Sequence, residues 1–475
     1  MGRVVVMAWE SAQNIRDAVA AGQVSAREIT ERTLARIHAN DQSLHSFLTV
    51  DDEQALAEAD EVDRRTAAGE TPGPLWGVPF SVKDLYDTRG LRTTYGSRAF
   101  ANHVPQADAV IVERARRAGA VLVGKTNTPE FGIYIRTVND LQPETVNPWD
   151  HARTAGGSSG GAAASVAAGL TPIAIGSDGG GSVRIPAALC GLTGLKPSSG
   201  SIPRGGGYIG TRRFSSAGPI TRYASDALLL WRVMAGPHAS DPLSQPGYVH
   251  GPRPTTQSDS TPPRLRWIGD SGVPDVESDV VAAAHLAAVQ LGQLLGAPLR
   301  QSETSLRSPL FADDFYAIMQ ADRLSTGGDE LMADANLREL LTDYSRHQFD
   351  KGARVSGADY SRAVETQVRA LHHMHALLDD VDVLLTPTLG FVAPQIPNDR
   401  SALPEDARRG FVAFTFLMNY TGLPAATVPC AMVRGLPVGL QLIGRPGSEE
   451  LLLRLCQRVQ DELFAPPAPD LPAEL

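Results

Sequence analysis

The chain has 475 residues, 42 % of them hydrophobic, and carries 43 Lys and Arg against 53 Asp and Glu, a formal charge of −10. That length can bury a large core, and the scattered basic residues under a net negative charge exclude nucleic acid and an anionic membrane surface as the main partner. Three cysteines, Cys190, Cys430 and Cys456, are too few to staple so long a chain and form no CxxC pair, which fits a reducing, cytoplasmic setting.

The amino terminus holds an apolar run too short for a signal peptide, and no stretch approaches the ~18 uninterrupted apolar residues of a membrane helix, so a soluble protein is expected. Ser11 to Ala21 and Ser25 to Ala39 read as amphipathic helices separated by Gly22, the second opened by a capping box of Ser25 and Glu28. Gln54 to Ala68 reads as a third helix. Leu75 to Val82, behind Pro72-Gly73-Pro74, reads as a buried strand that runs into Lys83-Asp84. A lysine there is either a solvated surface side chain or a desolvated amine able to act as a base. Ala109 to Gly119 is a helix and Ala120 to Gly124 a strand, the order expected of an α/β sheet with crossovers. Gly119 to Thr126 matches the phosphate-loop pattern letter for letter, but its middle is a strand and Pro129 prevents the following helix, so nucleotide binding is rejected.

Two glycine-serine clusters follow, Gly156-Gly157-Ser158-Ser159-Gly160-Gly161 and Gly179-Gly180-Gly181-Ser182, padded by apolar residues on both sides. Glycine so dense inside an apolar frame marks a close approach of backbone to a reacting group rather than a linker. Ser198 to Arg213 reads as a loop, Ser225 to Met234 as a helix, and Pro242 to Pro263 as an exposed connection. Leu265 to Ile268 and Val276 to Leu295 are a strand and a helix, and Phe311, Phe315, Tyr316 and Met319 recur at helical spacing, a pattern that by itself reads as core before pocket. Ser356 to Asp379 is helical and carries His372, His373 and His375, a solvated face rather than a metal site because no HExxH pattern completes it. Val381 to Leu385, Leu423 to Val433 and Val438 to Ile443 read as strands, Glu449 to Leu463 as a closing helix, and the tail from Ala465 as loose. No internal repeat is present.

No GxSxG elbow and no neighbouring histidine point to an ordinary hydrolase triad. Two serines in glycine frames and a strand-end lysine make a different relay, in which an uncharged amine activates an alcohol. The motifs Gly77-Val-Pro-Phe-Ser-Val-Lys83-Asp84, Gly124 to Gly132, Gly156 to Gly161, Gly180-Gly-Ser-Val-Arg-Ile-Pro186 and Gly194-Leu-Lys-Pro197 closely resemble the amidase signature family. The resemblance is strong over residues 10–235 and weaker around Thr386 to Thr388 and Asn419 to Gln441. It implies one α/β domain over residues 1–475 with a central mixed, mostly parallel sheet covered by helices on both faces. The signature core would span about 70–235, and a variable, substrate-shaping section about 300–420.

By that resemblance Ser182 is the nucleophile, Ser158 the bridging serine behind a cis Gly157–Ser158 bond, and Lys83 the base. The backbone amides of Gly179, Gly180, Gly181 and Ser182 form the oxyanion hole, Asp178 and Arg184 a structural ion pair, and Cys190 a buried small residue. No cofactor and no metal is implied. Gly132, Ile133 and Tyr134 would border the leaving-group side of the substrate, with Gly205 to Phe214 and Phe311 to Met319 walling the acyl side. Tyr208, Phe214 and Phe311 favour an apolar or aromatic acyl group over a charged one. The implied substrate is a small-molecule amide, ester or carbamate, handled by a monomer or homodimer in the cytoplasm, with no nucleic acid and no membrane. The alternative is the glutaminase subunit of a tRNA-dependent amidotransferase. Those subunits carry Gln where this chain has Ile185. A catalytically dead binding protein is disfavoured because Lys83, Ser158 and Ser182 are all present.

Overall fold

The computed structural model describes residues 9–208, 210–245, 262–274, 276–397 and 405–470. Most of the expected connection between Pro242 and Pro263, the first eight residues and the last part of the tail lie outside them. The described chain is built on an eleven-stranded sheet. In spatial order its strands are Phe47–Val50, Val121–Thr126, Pro79–Lys83, Ile173–Asp178, Ser216–Thr221, Thr193–Lys196, Ala425–Val433, Leu436–Gly444, Val383–Pro387, Leu265–Trp267 and Leu299–Gln301.

The mixed α/β sheet is as expected, but the balance of directions differs. Parallel pairing is confined to the flanks: Pro79–Lys83 pairs with Val121–Thr126 and Ile173–Asp178 on one side, and Leu265–Trp267 with Val383–Pro387 and Leu299–Gln301 on the other. The six remaining pairings are antiparallel, so the sheet is not mostly parallel. Part of the reason is local. Arg434 and Gly435, the two residues between Ala425–Val433 and Leu436–Gly444, both have positive φ (52° and 75°), as a tight hairpin turn requires, and a hairpin needs no crossover helix.

Helices cover both faces. Leu384 joins the apolar cluster of Phe315, Met374 and Leu378, whereas its neighbours Val383 and Leu385 join that of Val280, Leu291 and Leu452, the alternation of a strand buried on both sides. The helices fall close to expectation, at Ala12–Ala20, Ala26–Leu44, Asp52–Ala67, Gly357–Leu378 and Glu449–Glu462 among others. The Ser25 hydroxyl accepts from the Glu28 amide at 3.0 Å, but the Glu28 carboxylate pairs with Arg32 at 2.7 Å instead of completing the box. A reciprocal capping box does open Gly357–Leu378, between Ser356 and Asp359. His373 on that helix lies 3.1 Å from the Leu306 carbonyl and packs on Phe311. Among the described residues no group of three or more His, Cys, Asp or Glu is placed to hold a metal, and no helix is long and apolar enough to cross a membrane.

Two short buried helices position the glycine-serine clusters. Gly160–Ala167 starts directly after Ser158 and Ser159, and Arg184–Leu189 starts two residues after Ser182. The Ser159 amide donates to the Ser182 carbonyl at 3.2 Å, so the two serine turns are tied by their backbones.

Candidate active site

Lys83 ends its strand in the interior and is fully buried. Its Nζ has three hydroxyl neighbours: Ser158 Oγ at 2.6 Å, Ser177 Oγ at 2.9 Å and Ser159 Oγ at 3.0 Å. The proton inventory of this cluster is constrained. Ser159 Oγ donates to the Ser177 carbonyl at 3.1 Å and accepts from the Ser177 amide at 3.2 Å, which leaves it only one further acceptor site, so Lys83 must donate to it. A neutral amine has two N–H bonds and one lone pair. With its N–H groups directed at Ser159 and Ser177, the lone pair is left for the proton of Ser158. Burial pushes the Lys83 ammonium well below the ordinary lysine range, opposed only by the negative charge of Asp178. The Gly157–Ser158 peptide bond is cis.

Ser182 is half-buried and lines the same cavity as Ser158. Its turn is organised by Asp178, which is fully buried and accepts from the amides of Gly181 at 2.7 Å and Val183 at 3.2 Å. The Arg184 guanidinium forks onto both Asp178 oxygens, with Nε and Nη2 each at 3.0 Å. Arg184 also donates to Asn419 Oδ1 at 2.6 Å and Gln441 Oε1 at 2.9 Å, and Asn419 returns a hydrogen bond to Asp178 at 2.9 Å. Burial would raise the Asp178 carboxyl, but the Arg184 charge and these hydrogen bonds hold it well below the usual carboxylate range. A buried pair this fully hydrogen-bonded fixes the turn, and removing one partner would leave the other charge uncompensated.

One expectation changes here. The Gly181 amide is committed to Asp178 and Gly181 does not line the cavity, so it cannot serve as an oxyanion donor. The amides of Gly179, Gly180 and Ser182 have no acceptor among the described residues, and all three residues line the cavity. Gly181 is needed for its shape instead: its φ is +132°, and a Cβ there would lie 2.3 Å from Thr415 Oγ1. Thr415 in turn donates to the Gly180 carbonyl at 2.7 Å.

The cavity has a volume of about 1150 Å³, counting the part open to solvent. Gly132, Ile133 and Tyr134 line it, as do Tyr208, Phe315 and Met319. A side chain at Gly132 would place its Cβ 3.2 Å from Ser158 Oγ. Phe214 and Phe311, expected on the acyl wall, are not on it. Phe214 stacks behind Phe315 at a centroid distance of 5.1 Å, and Phe311 packs against His373. The wall carrying Gly132 is clasped to the segment around Thr342: the buried Glu130 carboxylate accepts from Ser97 at 2.5 Å and from the amide and hydroxyl of Thr342 at 2.8 and 2.6 Å. Tyr134 stacks on Tyr344 at 4.9 Å.

The family model for amidases matches residues 28–453. The chain belongs to the amidase signature family. It is a hydrolase of carbon–nitrogen bonds by that membership. It is 36 % identical over 457 residues to an acylamidase of Rhodococcus erythropolis, covering 94 % of both chains. It is also 36 % identical over 498 residues to one of the subunits of the glutamyl-tRNA(Gln) amidotransferase of Roseiflexus sp. (strain RS-1), covering 97 % of this chain and 98 % of the other. Among solved structures, a bacterial aryl acylamidase of the amidase signature family superposes with a TM-score of 0.84 at 27 % identity, covering 95 % of this chain and 96 % of the other.

In this amidase signature enzyme the sequence-derived Lys83 and Ser158 are in direct contact, and Ser182 shares the cavity of Ser158. Asp178 and Arg184 form the ion pair, and Cys190 is buried. Sequence reasoning overlooked Ser159 and Ser177 as partners of the lysine, and Thr415, Asn419 and Gln441 as supports of the glycine turn. Ser159 stands beside a residue already singled out. Ser177 likewise stands beside Asp178, whereas Thr415, Asn419 and Gln441 lie far along the chain, where the only pointer is the weaker resemblance over Asn419 to Gln441.

Proposed function

We propose that the protein hydrolyses linear carboxylic amides through an acyl-enzyme on Ser182. The observation that carries this reading is the 2.6 Å contact between a buried Lys83 amine and Ser158, with hydroxyls rather than a carboxylate as its other near neighbours. Ser182 Oγ attacks the carbonyl carbon while its proton passes to Ser158 and the Ser158 proton to Lys83. The oxygen of the tetrahedral intermediate takes hydrogen bonds from the free amides at Gly179, Gly180 and Ser182. When the C–N bond breaks, Lys83 returns the proton through Ser158 to the amine. Water then attacks the acyl carbon by the same route, freeing the acid and Ser182. Esters and carbamates can enter the same cycle, since only the leaving atom differs. The cavity wall of Phe131, Ile133, Phe315 and Met319 supports an apolar body next to the scissile bond.

The test is a panel of anilides, primary amides, esters and carbamates on the wild type, Ser182→Ala and Lys83→Ala. Intact-mass detection of an acyl adduct in the wild type and its absence in Ser182→Ala is expected. Retained amide hydrolysis in Ser182→Ala would overturn the reading. If only ester hydrolysis survives Lys83→Ala, the lysine's main role is protonating a poor amine leaving group. The second reading, an ammonia-producing subunit of an amidotransferase, is favoured by the full-length similarity to such subunits and weakened by Ile185. Ammonia release from glutamine that appears only on adding the other subunits of such a complex would establish it. Action as a monomer or homodimer in the cytoplasm goes with the first reading.

A further inference from the structure

The loop from Ser198 to Arg213 carries three side chains whose polar ends are buried and make no hydrogen bond among the described residues: Nη1 and Nη2 of Arg204, the hydroxyl of Tyr208 and Oγ1 of Thr211. All three residues line the cavity that contains Ser158 and Ser182. Buried donors are almost always satisfied in folded proteins, and a cluster of three on one wall calls for a partner. The backbone of the loop is not the source of the shortfall. The Arg204 amide donates to Asp241 at 2.9 Å, the Gly205 carbonyl accepts from the Val110 amide at 3.0 Å and the Tyr208 amide donates to the Leu85 carbonyl at 2.8 Å. The backbone is therefore anchored at Arg204, Gly205 and Tyr208, while the Arg204 Nη groups and the Tyr208 and Thr211 hydroxyls stay unused.

Arg204 itself is only 8 % exposed. Its Nε edge faces Asp241 at 3.7 Å, a carboxylate already occupied by the backbone amides of Arg204 and Leu243. The terminal Nη edge is left over. Two parallel donors on one planar group match the two oxygens of a carboxylate, and a dry site strengthens that match. Tyr208 stands close to Thr326 without a hydrogen bond to it, and the Thr326 proton is directed at the carbonyls of Gly210 and Asp322. The charge of the wall agrees. Although the chain carries ten more acids than bases, the described cavity lining includes Arg204 and Arg323 and no Asp or Glu.

Resting on the acyl-enzyme reading above, we infer that the preferred substrates carry a carboxylate besides the scissile amide, and that the Nη edge of Arg204, with the Tyr208 and Thr211 hydroxyls, receives it. The apolar residues then hold the body of the substrate between the two polar ends. This departs from the sequence expectation, which favours an apolar or aromatic acyl group over a charged one.

The test compares glutaryl para-nitroanilide with its uncharged isostere, in which an isopropyl group replaces the carboxylate. In the wild type kcat/KM for the charged compound should exceed that for the isostere by about 10-fold or more, and Arg204→Gln should bring the ratio to within about 2-fold of unity. Tyr208→Phe should lower the ratio by a smaller factor. A wild-type ratio at or below one, or a ratio unchanged in Arg204→Gln, overturns the inference. Should Arg204→Gln not fold, the wild-type ratio decides alone. Calorimetric binding of both compounds to Ser182→Ala separates the two levels of the proposal. Tight carboxylate-selective binding without wild-type turnover refutes the acyl-enzyme reading and keeps the anion site, whereas turnover without selectivity refutes the site and keeps the chemistry.

Discussion

Two lysines sit on adjacent strands in the parallel flank of the sheet, one residue out of register and so on opposite faces, and differ in what surrounds their amines. Lys83 ends Pro79–Lys83, and Lys125 lies on Val121–Thr126, paired with Val82. Both are fully buried, and burial lowers both from the ordinary lysine value. Lys125, however, has the carboxylate of Asp84 at 3.5 Å, the Tyr86 carbonyl at 2.5 Å and Thr93 Oγ1 at 2.7 Å, and its pKa is lowered only to about 8. Lys83 has three serine hydroxyls and no ion pair among the described residues, and burial holds it well below the ordinary lysine range. The difference teaches that burial alone does not make a base. A nearby carboxylate returns the proton and turns the lysine into scaffolding, while hydroxyl neighbours leave the amine neutral and ready to accept.

The largest effect that can test this contrast is on turnover. Lys83→Ala should lower amide kcat by at least about 10³-fold, in line with removal of a member of a catalytic unit, while Lys125→Met should leave turnover per folded molecule within about 10-fold. A Lys125 variant as inactive as the Lys83 variant, at equal folded fraction, would erase the distinction. Next comes stability. Lys125→Met leaves the buried Asp84 carboxylate without its cation and should cost about 3 to 5 kcal/mol in urea denaturation, and adding Asp84→Asn should recover part of that.

A third test is pH. The base must be uncharged to act, so kcat/KM should rise as pH climbs through the Lys83 pKa and level off above it. Because burial moves that pKa down, the plateau should be reached well below the ordinary lysine value of about 10.4. A limb centred at the ordinary value would mean that the amine is solvated or carries a counter-ion. The smallest effect is expected from Ser159→Ala, which removes one acceptor of the Lys83 N–H groups and should reduce kcat about 10-fold with little change in KM, by loss of roughly one hydrogen bond to a buried group.

The same contrast explains what can be read from the chain. The apolar run into Lys83 and the serine-glycine clusters are local patterns that mark candidate segments, and the family resemblance singles out Lys83, Ser158 and Ser182 within them. Nothing local tells Lys83 from Lys125, because Asp84 follows Lys83 in sequence yet pairs with Lys125 across the strands. The strand Ser216–Thr221 has no sequence signal, since Ser-Ala-Gly-Pro-Ile-Thr lacks both alternation and bulk. It forms because Ile173–Asp178 pairs with it residue by residue, Pro219 facing Ile175. The helix Gly160–Ala167 begins with two glycines and has weak propensity of its own, and tight packing holds it instead: a Cβ at Gly161 would lie 2.5 Å from the Asn127 amide. Phe214 and Phe311 read as pocket aromatics because composition gives side-chain type but not direction. The Gly181 amide fails as an oxyanion donor for a similar reason, its acceptor being set by the fold around Asp178.

The Asp178 network also bears on how the molecule is made. Arg184 reaches Asn419 across 235 positions and Gln441 across 257, and Thr193–Lys196 pairs with Ala425–Val433 in the middle of the sheet. A nascent chain halted on the ribosome before residue 419 would already contain Lys83, Ser158 and Ser182 but not the clamp that shapes the turn between them. A chain truncated before residue 419 is therefore expected to lack the shaped serine turn and to release no amine from an amide.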